Sequence, residues 1–475
     1  MSNKTQPEHE GLQINAKLAQ KIQAELGQNV YLCYQCVKCT SGCPVSNYFD
    51  WQPNQIMRAI QLGQEDIALE AKTPWLCASC QTCTTRCPQD LNIAAIMDFL
   101  TREALDHGIE PPIQEVDNMN KAFLREVRLW GRSYELGLMA ELKLRNIRTH
   151  RITEDLDMGF KMIARNKFPF FPTYTRPPRN VKPIPGASKA IAYYPGCSLH
   201  ATSPEFNTST LAVAKALDLQ FIEPEGWLCC GSSSAHRADP EVALRLPMEN
   251  LSLIEQSGFS EVTMPCAACF NRHKAAQYEI RHDLDQKRTV EESIGYSYKD
   301  SVEVKSITET IFEHVGPAEL SAKVKKPLNS LRVVCYYGCL LTRPPQVTGA
   351  RHPENPTEMD DLVTALGAQV LDWSYKTTCC GAAHSLTRPD IVLDLSSTLI
   401  NEARKAGADL IAVACPLCHT NLDARQFQMS LDQEMPVMFI TQLMALALGL
   451  SEREMALNKN LIDPRPLLRQ KDLIS

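Results

Sequence analysis

With 475 residues, 49 Lys and Arg against 55 Asp and Glu, a net charge of -6 and a pI near 6.0, the chain has no cationic surplus with which to neutralise a nucleic acid or an anionic membrane. At roughly 100 to 200 residues per domain, its length predicts about three domains, each able to bury a core. Nineteen cysteines are too dilute here for the small secreted scaffolds that disulfides hold together, so metal ligation is the first chemistry they suggest.

The first thirty residues are polar, with a helical pattern over Ile14 to Leu26. They hold neither the apolar run nor the small-residue cleavage site of a secretory signal, so a cytoplasmic location is expected. Residues 33 to 43 then read Cys33-x-x-Cys36-x-x-Cys39-x-x-x-Cys43-Pro44, and residues 77 to 87 repeat this as Cys77-x-x-Cys80-x-x-Cys83-x-x-x-Cys87-Pro88. This is the spacing of two-cluster bacterial ferredoxins, in which the fourth cysteine of each run reaches the other cluster. It assigns Cys33, Cys36, Cys39 and Cys87 to one cubane [4Fe-4S] centre and Cys77, Cys80, Cys83 and Cys43 to a second. Four ligands per run with a Cys-Pro ending is not a zinc spacing.

Periodic apolar residues predict helices over Asn54 to Leu69 and Ile93 to Leu105. From Glu110 to Arg165 the chain reads as a charged helical bridge, started by Pro111-Pro112 and serving for packing. Six prolines between Phe168 and Pro185 rule out a helix or central strand and mark a boundary.

Beyond it, a five-cysteine array occurs twice. Cys229-Cys230-Gly231 is followed, after 35 intervening residues, by Cys266-x-x-Cys269, and Cys379-Cys380-Gly381, after 34, by Cys415-x-x-Cys418. Cys197, in Tyr-Pro-Gly-Cys, and Cys339, in Tyr-Tyr-Gly-Cys, precede the two pairs. Such repetition predicts paired metal centres in a duplicated domain.

Strands are expected at Lys189 to Tyr194, Gln220 to Glu223 and Glu261 to Met264, and again at Leu331 to Tyr336, Ala368 to Asp372 and Leu410 to Val413. Helices at Phe206 to Leu217, Pro240 to Glu255, Thr357 to Leu366 and Ile391 to Lys405 alternate with them. Alternation implies a mostly parallel sheet in each copy, with the cysteines gathered beyond the strands' carboxyl ends. Helices starting just after Cys269 and Cys418 would point their amino ends at each array. The apolar run Pro436 to Leu450 is short of the roughly 20 residues needed to span a membrane and reads as a buried helix.

A cubane takes four thiolates. Five therefore leave two readings: an iron–sulfur cluster more open than a cubane, or an ordinary [4Fe-4S] cluster with a spare thiol. Cys335, outside both arrays, reads as a core thiol. His236, His384 and His419 are candidate proton donors or hydrogen-bonding supports, and Arg237, Arg343 and Arg388 are candidates for an anionic substrate. No Gly-x-Gly-x-x-Gly occurs, so no flavin or NAD site is expected and electrons must come from another subunit.

These arrays, with Glu354-Asn355-Pro356, Ala365-Leu366-Gly367-Ala368, Cys415-Pro416-Leu417-Cys418-His419, Thr441-Gln442-Leu443 and Asp463-Pro464-Arg465-Pro466, resemble the double CCG domain of the heterodisulfide reductase B subunit. Cys33-Tyr34-Gln35-Cys36 and Trp75-Leu76-Cys77 resemble its C subunit. Leu340 departs from the pattern, which leads one to expect histidine there. The resemblance implies a natural C–B fusion: an α-helical two-[4Fe-4S] ferredoxin-type module (1–110), a helical bridge and linker (111–186), and a duplicated α/β CCG pair (187–325 and 326–475).

It further implies that Cys197, Cys229, Cys230, Cys266 and Cys269, and likewise Cys339, Cys379, Cys380, Cys415 and Cys418, each hold a noncubane [4Fe-4S] cluster, with a disulfide cleaved between the two. The implied partners are a flavin-bearing A-type subunit, with a hydrogenase, formate dehydrogenase or NADH-oxidising module behind it, in a dimer of heteromers. The alternative function is the iron–sulfur subunit of a succinate, fumarate, glycolate or lactate oxidoreductase facing a quinone.

Overall fold

The computed structural model describes residues 15–147 and 155–475, so Ile14, at the start of the first expected helix, lies outside the described residues. Eight short strands carry the carboxyl-terminal part: β1 (Ile191–Tyr193), β2 (Phe221–Ile222), β3 (Glu261–Met264), β4 (Glu303–Ser306), β5 (Arg332–Tyr336), β6 (Gln369–Val370), β7 (Leu410–Val413) and β8 (Val437–Phe439). They form two all-parallel sheets of the same order, β2-β1-β3-β4 and β6-β5-β7-β8. Parallel pairing forces each connection to cross over, and helices such as Pro204–Ala216, Pro240–Gln256 and Pro389–Lys405 supply the crossovers.

The two sheets share one continuous apolar core. At the join, Phe206 stacks on Phe439 with ring centroids 4.0 Å apart, and the Ser209 and Thr441 hydroxyls hydrogen-bond at 2.7 Å. The buried Lys167, just before the proline-rich stretch, pairs with the buried Glu205 carboxylate beside this seam.

The amino-terminal part is helical around a separate core that takes in Ile56, Ile60, Ile96 and Phe99. The helix expected over Asn54 to Leu69 is two, Pro53–Gln61 and Glu65–Glu70. Gly63 breaks it at φ +69°, so close to the Asn15 backbone that a Cβ would sit 2.5 Å from its carbonyl oxygen. The bridge comprises Gln114–Trp130, Glu135–Arg145 and Leu156–Ala164, separated by Gly131 and by 148–154, which lie outside the described residues.

Two strands escape the sequence reading. β4, at the edge of its sheet, carries the buried Lys305, whose charge disguises the strand while three glutamates satisfy its ammonium. β8 hides in the apolar run Pro436 to Leu450, where periodicity cannot separate a buried strand from a helix. The helix starts only at Ile440, where the Gln442 side chain accepts the Phe439 N–H at 3.0 Å.

Candidate functional site

The strand order reverses between β1 and β3, and again between β5 and β7, which is where an open parallel sheet presents a crevice. The cysteines converge there: Cys197 and Cys266 follow β1 and β3, and Cys339 and Cys415 follow β5 and β7. The helices expected after Cys269 and Cys418 begin earlier, at Ala267 and Pro416, so Cys266 and Cys415 occupy the caps and Cys269 and Cys418 the first turns.

Both halves repeat two supporting contacts. Gly196 and Gly338 take φ of +72° and +70°, and a Cβ on either would lie 2.7 Å from Cys269 Sγ or 2.9 Å from Cys418 Sγ. The Tyr194 hydroxyl donates to the Leu228 carbonyl, and the Tyr336 hydroxyl to the Thr378 carbonyl, each at 2.6 Å. Each tyrosine thereby fixes the residue before its adjacent cysteine pair. These tyrosines are supports that the sequence reading passed over, although each stands at or just beyond the end of its strand.

The arrays meet at Cys266 and Cys415, where the neighbouring Cys266 thiol draws Cys415 well below the ordinary thiol range. Hydrogen bonding to Cys197 and Cys230, and then burial, hold Cys229 well above it. Cys380 and Cys418 are 3.6 Å apart, sulfur to sulfur. A cavity of about 240 Å³ opens between the arrays. All five cysteines of the first array line it, with Cys339 and Cys379 of the second and Met119, Phe123, Glu135 and Leu138 from the bridge. The bridge, read from sequence as packing alone, is therefore a wall of the site. Burial pushes the Glu135 carboxyl up to about 8.

Of the amino-terminal cysteines, Cys43 and Cys80 join the same region, whereas Cys33, Cys39 and Cys87 pack in the amino-terminal core and Cys36 is exposed. Burial raises Cys43, which lies in the electrostatic reach of Cys80 and Cys77, and burial pushes Cys77 up to about 12. Cys80 packs in one cluster with Cys379, and the hydrogen bond from Cys379 draws its thiol below the ordinary range.

The loop around Cys77 and Cys80 is held by residues expected to act on substrate. His384 Nε2 lies 3.0 Å from the Leu76 carbonyl, Arg237 Nη2 donates to Ser79 Oγ at 3.2 Å, and Arg343 Nη1 donates to Thr82 Oγ1 at 2.8 Å. Arg237 and Arg343 are thus braces, not anion sites. Burial lowers His384 to about 3 and His419, stacked on Phe439, well below the imidazole range, so neither is an imidazolium at neutral pH. Of the three histidines only His236 lines the cavity, with Nδ1 2.7 Å from Asp98. Arg388 pairs on the surface with Asp390, and Cys335 is fully buried in β5. Arg272, which the sequence reading did not single out, lines the cavity.

All nineteen cysteines are free thiols. A whole set of gathered, buried thiols gives up its protons together only beside positive charge, which iron supplies. Among the described residues no three His, Cys, Asp or Glu side chains converge on a single ion, whereas a cluster asks one sulfur of each iron. The donor set fits iron–sulfur clusters.

Residues 191–272 and 333–423 match the family described as cysteine-rich domain, CCG, and residues 32–92 match the 4Fe-4S dicluster domain. The chain is 35% identical over 285 residues to the 8-methylmenaquinol:fumarate reductase membrane anchor subunit of Wolinella succinogenes, a match covering 59% of this chain and 99% of that one. It is 29% identical over 282 residues to the B subunit of the ferredoxin/F420H2-dependent CoB-CoM heterodisulfide reductase of Methanosarcina acetivorans, covering 57% of this chain and 93% of the relative. The fold is also similar to that of a hypothetical protein from Helicobacter pylori, with a TM-score of 0.51 at 12% identity over 69% of this chain and 60% of the other. With two cysteine arrays on twin parallel sheets behind a dicluster domain, this chain belongs to the heterodisulfide reductase family of iron–sulfur proteins, as a fusion of C-like and B-like parts.

Proposed function

We propose that the chain is the catalytic subunit of a heterodisulfide-reductase-like complex, an oxidoreductase that cleaves a disulfide, or joins two thiols, between its cysteine arrays. The observation that carries this reading is the single cavity onto which cysteines of both arrays open. In this proposal Cys33, Cys36, Cys39 and Cys87 hold one cubane and Cys77, Cys80, Cys83 and Cys43 the other, while each five-cysteine array holds a noncubane [4Fe-4S] cluster. The clusters supply single electrons, two of which, with two protons, turn one disulfide into two thiols.

The chain's own residues do the rest. Bridge residues Met119, Phe123 and Leu138 line the cavity with apolar surface that limits access of water to the reacting sulfurs. Glu135, largely protonated at neutral pH, holds a proton within the same cavity for a departing thiolate. Contact of Cys80 with Cys379 brings the second ferredoxin-type run against the second array. Electrons come from a flavin-bearing partner in a cytoplasmic assembly. We divide the chain at 110, 186 and 325. Among the described residues no helix is long and apolar enough to cross a membrane.

A second reading, an electron-transfer subunit of a fumarate or succinate oxidoreductase, is favoured by the 35% identity to the Wolinella subunit. Anaerobically purified protein assayed with reduced viologen separates the two. Turnover of disulfides supports the first, and array-dependent turnover of fumarate or a quinone without any disulfide activity supports the second.

A further inference from the structure

Besides its cysteines, the cavity between the arrays has three ionisable lining residues, Glu135, His236 and Arg272. His236 is engaged by Asp98, and burial keeps Glu135 in its neutral form at neutral pH. Arg272 alone carries a permanent charge. It sits on the helix Ala267–His282, and none of the ion pairs among the described residues includes it, whereas Arg237 has Asp98 and Arg343 has Glu354.

Its position is set from behind. The Asn271 amide donates to the Leu340 carbonyl at 3.1 Å and to the Arg343 carbonyl at 2.8 Å. That fixes the Asn271 oxygen as an acceptor, and Arg272 Nη2 donates to it at 2.8 Å. A guanidinium has five N–H donors in a planar fork that matches a carboxylate, sulfonate or phosphate, and this single contact leaves most of them for the cavity.

Resting on the disulfide reading above, we infer that Arg272 is a specificity-determining residue that binds the anionic group of a thiol or disulfide substrate in the cavity between the two arrays. The rival role is local charge balance. Cys230 of one array, the Asp98 carboxylate and Cys339 of the other array all lie within electrostatic reach of the guanidinium, and their negative charge would stabilise it without any substrate.

The test uses cluster-loaded protein, wild type, Arg272→Gln and Arg272→Lys, with reduced viologen and three disulfides: anionic 3,3′-dithiodipropionate, neutral bis(2-hydroxyethyl) disulfide and cationic cystamine. The expected result is a KM for the dianion raised at least about tenfold in Arg272→Gln, with partial recovery in Arg272→Lys and a much smaller rise in KM for the neutral disulfide. An equal fall in kcat on all three, together with shifted paramagnetic signals, would assign Arg272 to charge balance and overturn the inference. Calorimetric titration with 3-mercaptopropionate and 2-mercaptoethanol decides the matter apart from turnover. Should no disulfide be reduced, Arg272-dependent binding of mercaptopropionate alone would uphold the anion site while the disulfide reading fell. Equal binding of both thiols to wild type and variant would sink the inference.

Discussion

Arg343 of the second cysteine-rich half donates to the Thr82 hydroxyl of the dicluster domain at 2.8 Å, and the same Thr82 oxygen lies 3.3 Å from Cys80 Sγ. The guanidinium also donates to the Thr377 carbonyl and hydroxyl, both at 2.8 Å, two residues before Cys379. One nearly inaccessible side chain therefore ties the turn carrying Cys80 to the loop carrying Cys379.

Arg343→Met fills similar volume but leaves Thr82, Thr377 and part of Glu354 without their donor. Buried groups stripped of a charged partner cost about 3 kcal/mol, and Glu354, 39% exposed, adds little because water replaces its lost contact. The expected outcome is a lower unfolding midpoint under anaerobic denaturant titration. Broadened paramagnetic signals from the second ferredoxin-type site should accompany it.

On the disulfide reading, replacing Cys229 by Ala removes one of five ligands from an array without touching either ferredoxin-type run, whereas Cys379 is in contact with Cys80. Viologen-driven disulfide reduction is expected to fall at least about a hundredfold, with the dicluster signals retained. Retained turnover would show that the arrays do not carry the reaction.

Glu135 links rate to pH. Its carboxyl is raised to about 8 by burial, so it is protonated below that pH and ionised above. A proton donor of this kind is largely available at pH 7 and lost as pH rises through 8. The rate of disulfide reduction should therefore decline about tenfold per pH unit on the alkaline side. Glu135→Gln should lower the plateau at least about tenfold and flatten that limb, as measured by pH–rate profiles of both proteins.

Asp423 and Asp409 bias stability in opposite directions. Burial raises Asp423 to about 7, although the Leu461 and Ile462 amides donate to it at 2.6 and 2.9 Å. An acid whose folded pKa exceeds its unfolded value of about 4 favours the folded state most below that value, and the benefit drains away as pH rises from 4 to 7. Against a burial that would raise it, Arg332 and Lys471 hold Asp409 down to about 2, so its contribution is present above about pH 4 and lost towards pH 2. Apparent unfolding midpoints of Asp423→Asn should vary less between pH 5 and 7 than those of the wild type, while Asp409→Asn should leave that interval unchanged.

Much of this protein is written in cysteine spacing. Ligand sets recur at fixed separations because a cluster of fixed size needs loops of fixed reach, and the strands running into Cys266 and Cys415 are legible as short β-branched or aliphatic runs that end at Pro265-Cys266 and Cys415-Pro416. The misassigned candidates share a cause. His384, Arg237 and Arg343 stand near cysteines in sequence, and proximity along the chain does not reveal that each side chain crosses to the dicluster domain. Arg272 and Glu135 were missed because a lone arginine on a helix and a glutamate in a charged bridge look like solvated surface.

Composition and pattern by themselves determined the two ferredoxin-type runs, the duplicated arrays and the parallel α/β class, since each follows from local periodicity and the reach of a short loop. Only the tertiary structure decided that the arrays meet at Cys266 and Cys415, that Cys80 lies against Cys379, and that the bridge closes the cavity beside Arg272. Those juxtapositions join residues scores to hundreds of positions apart, and they depend on how apolar faces pack across a shared core, which no spacing along a single chain encodes.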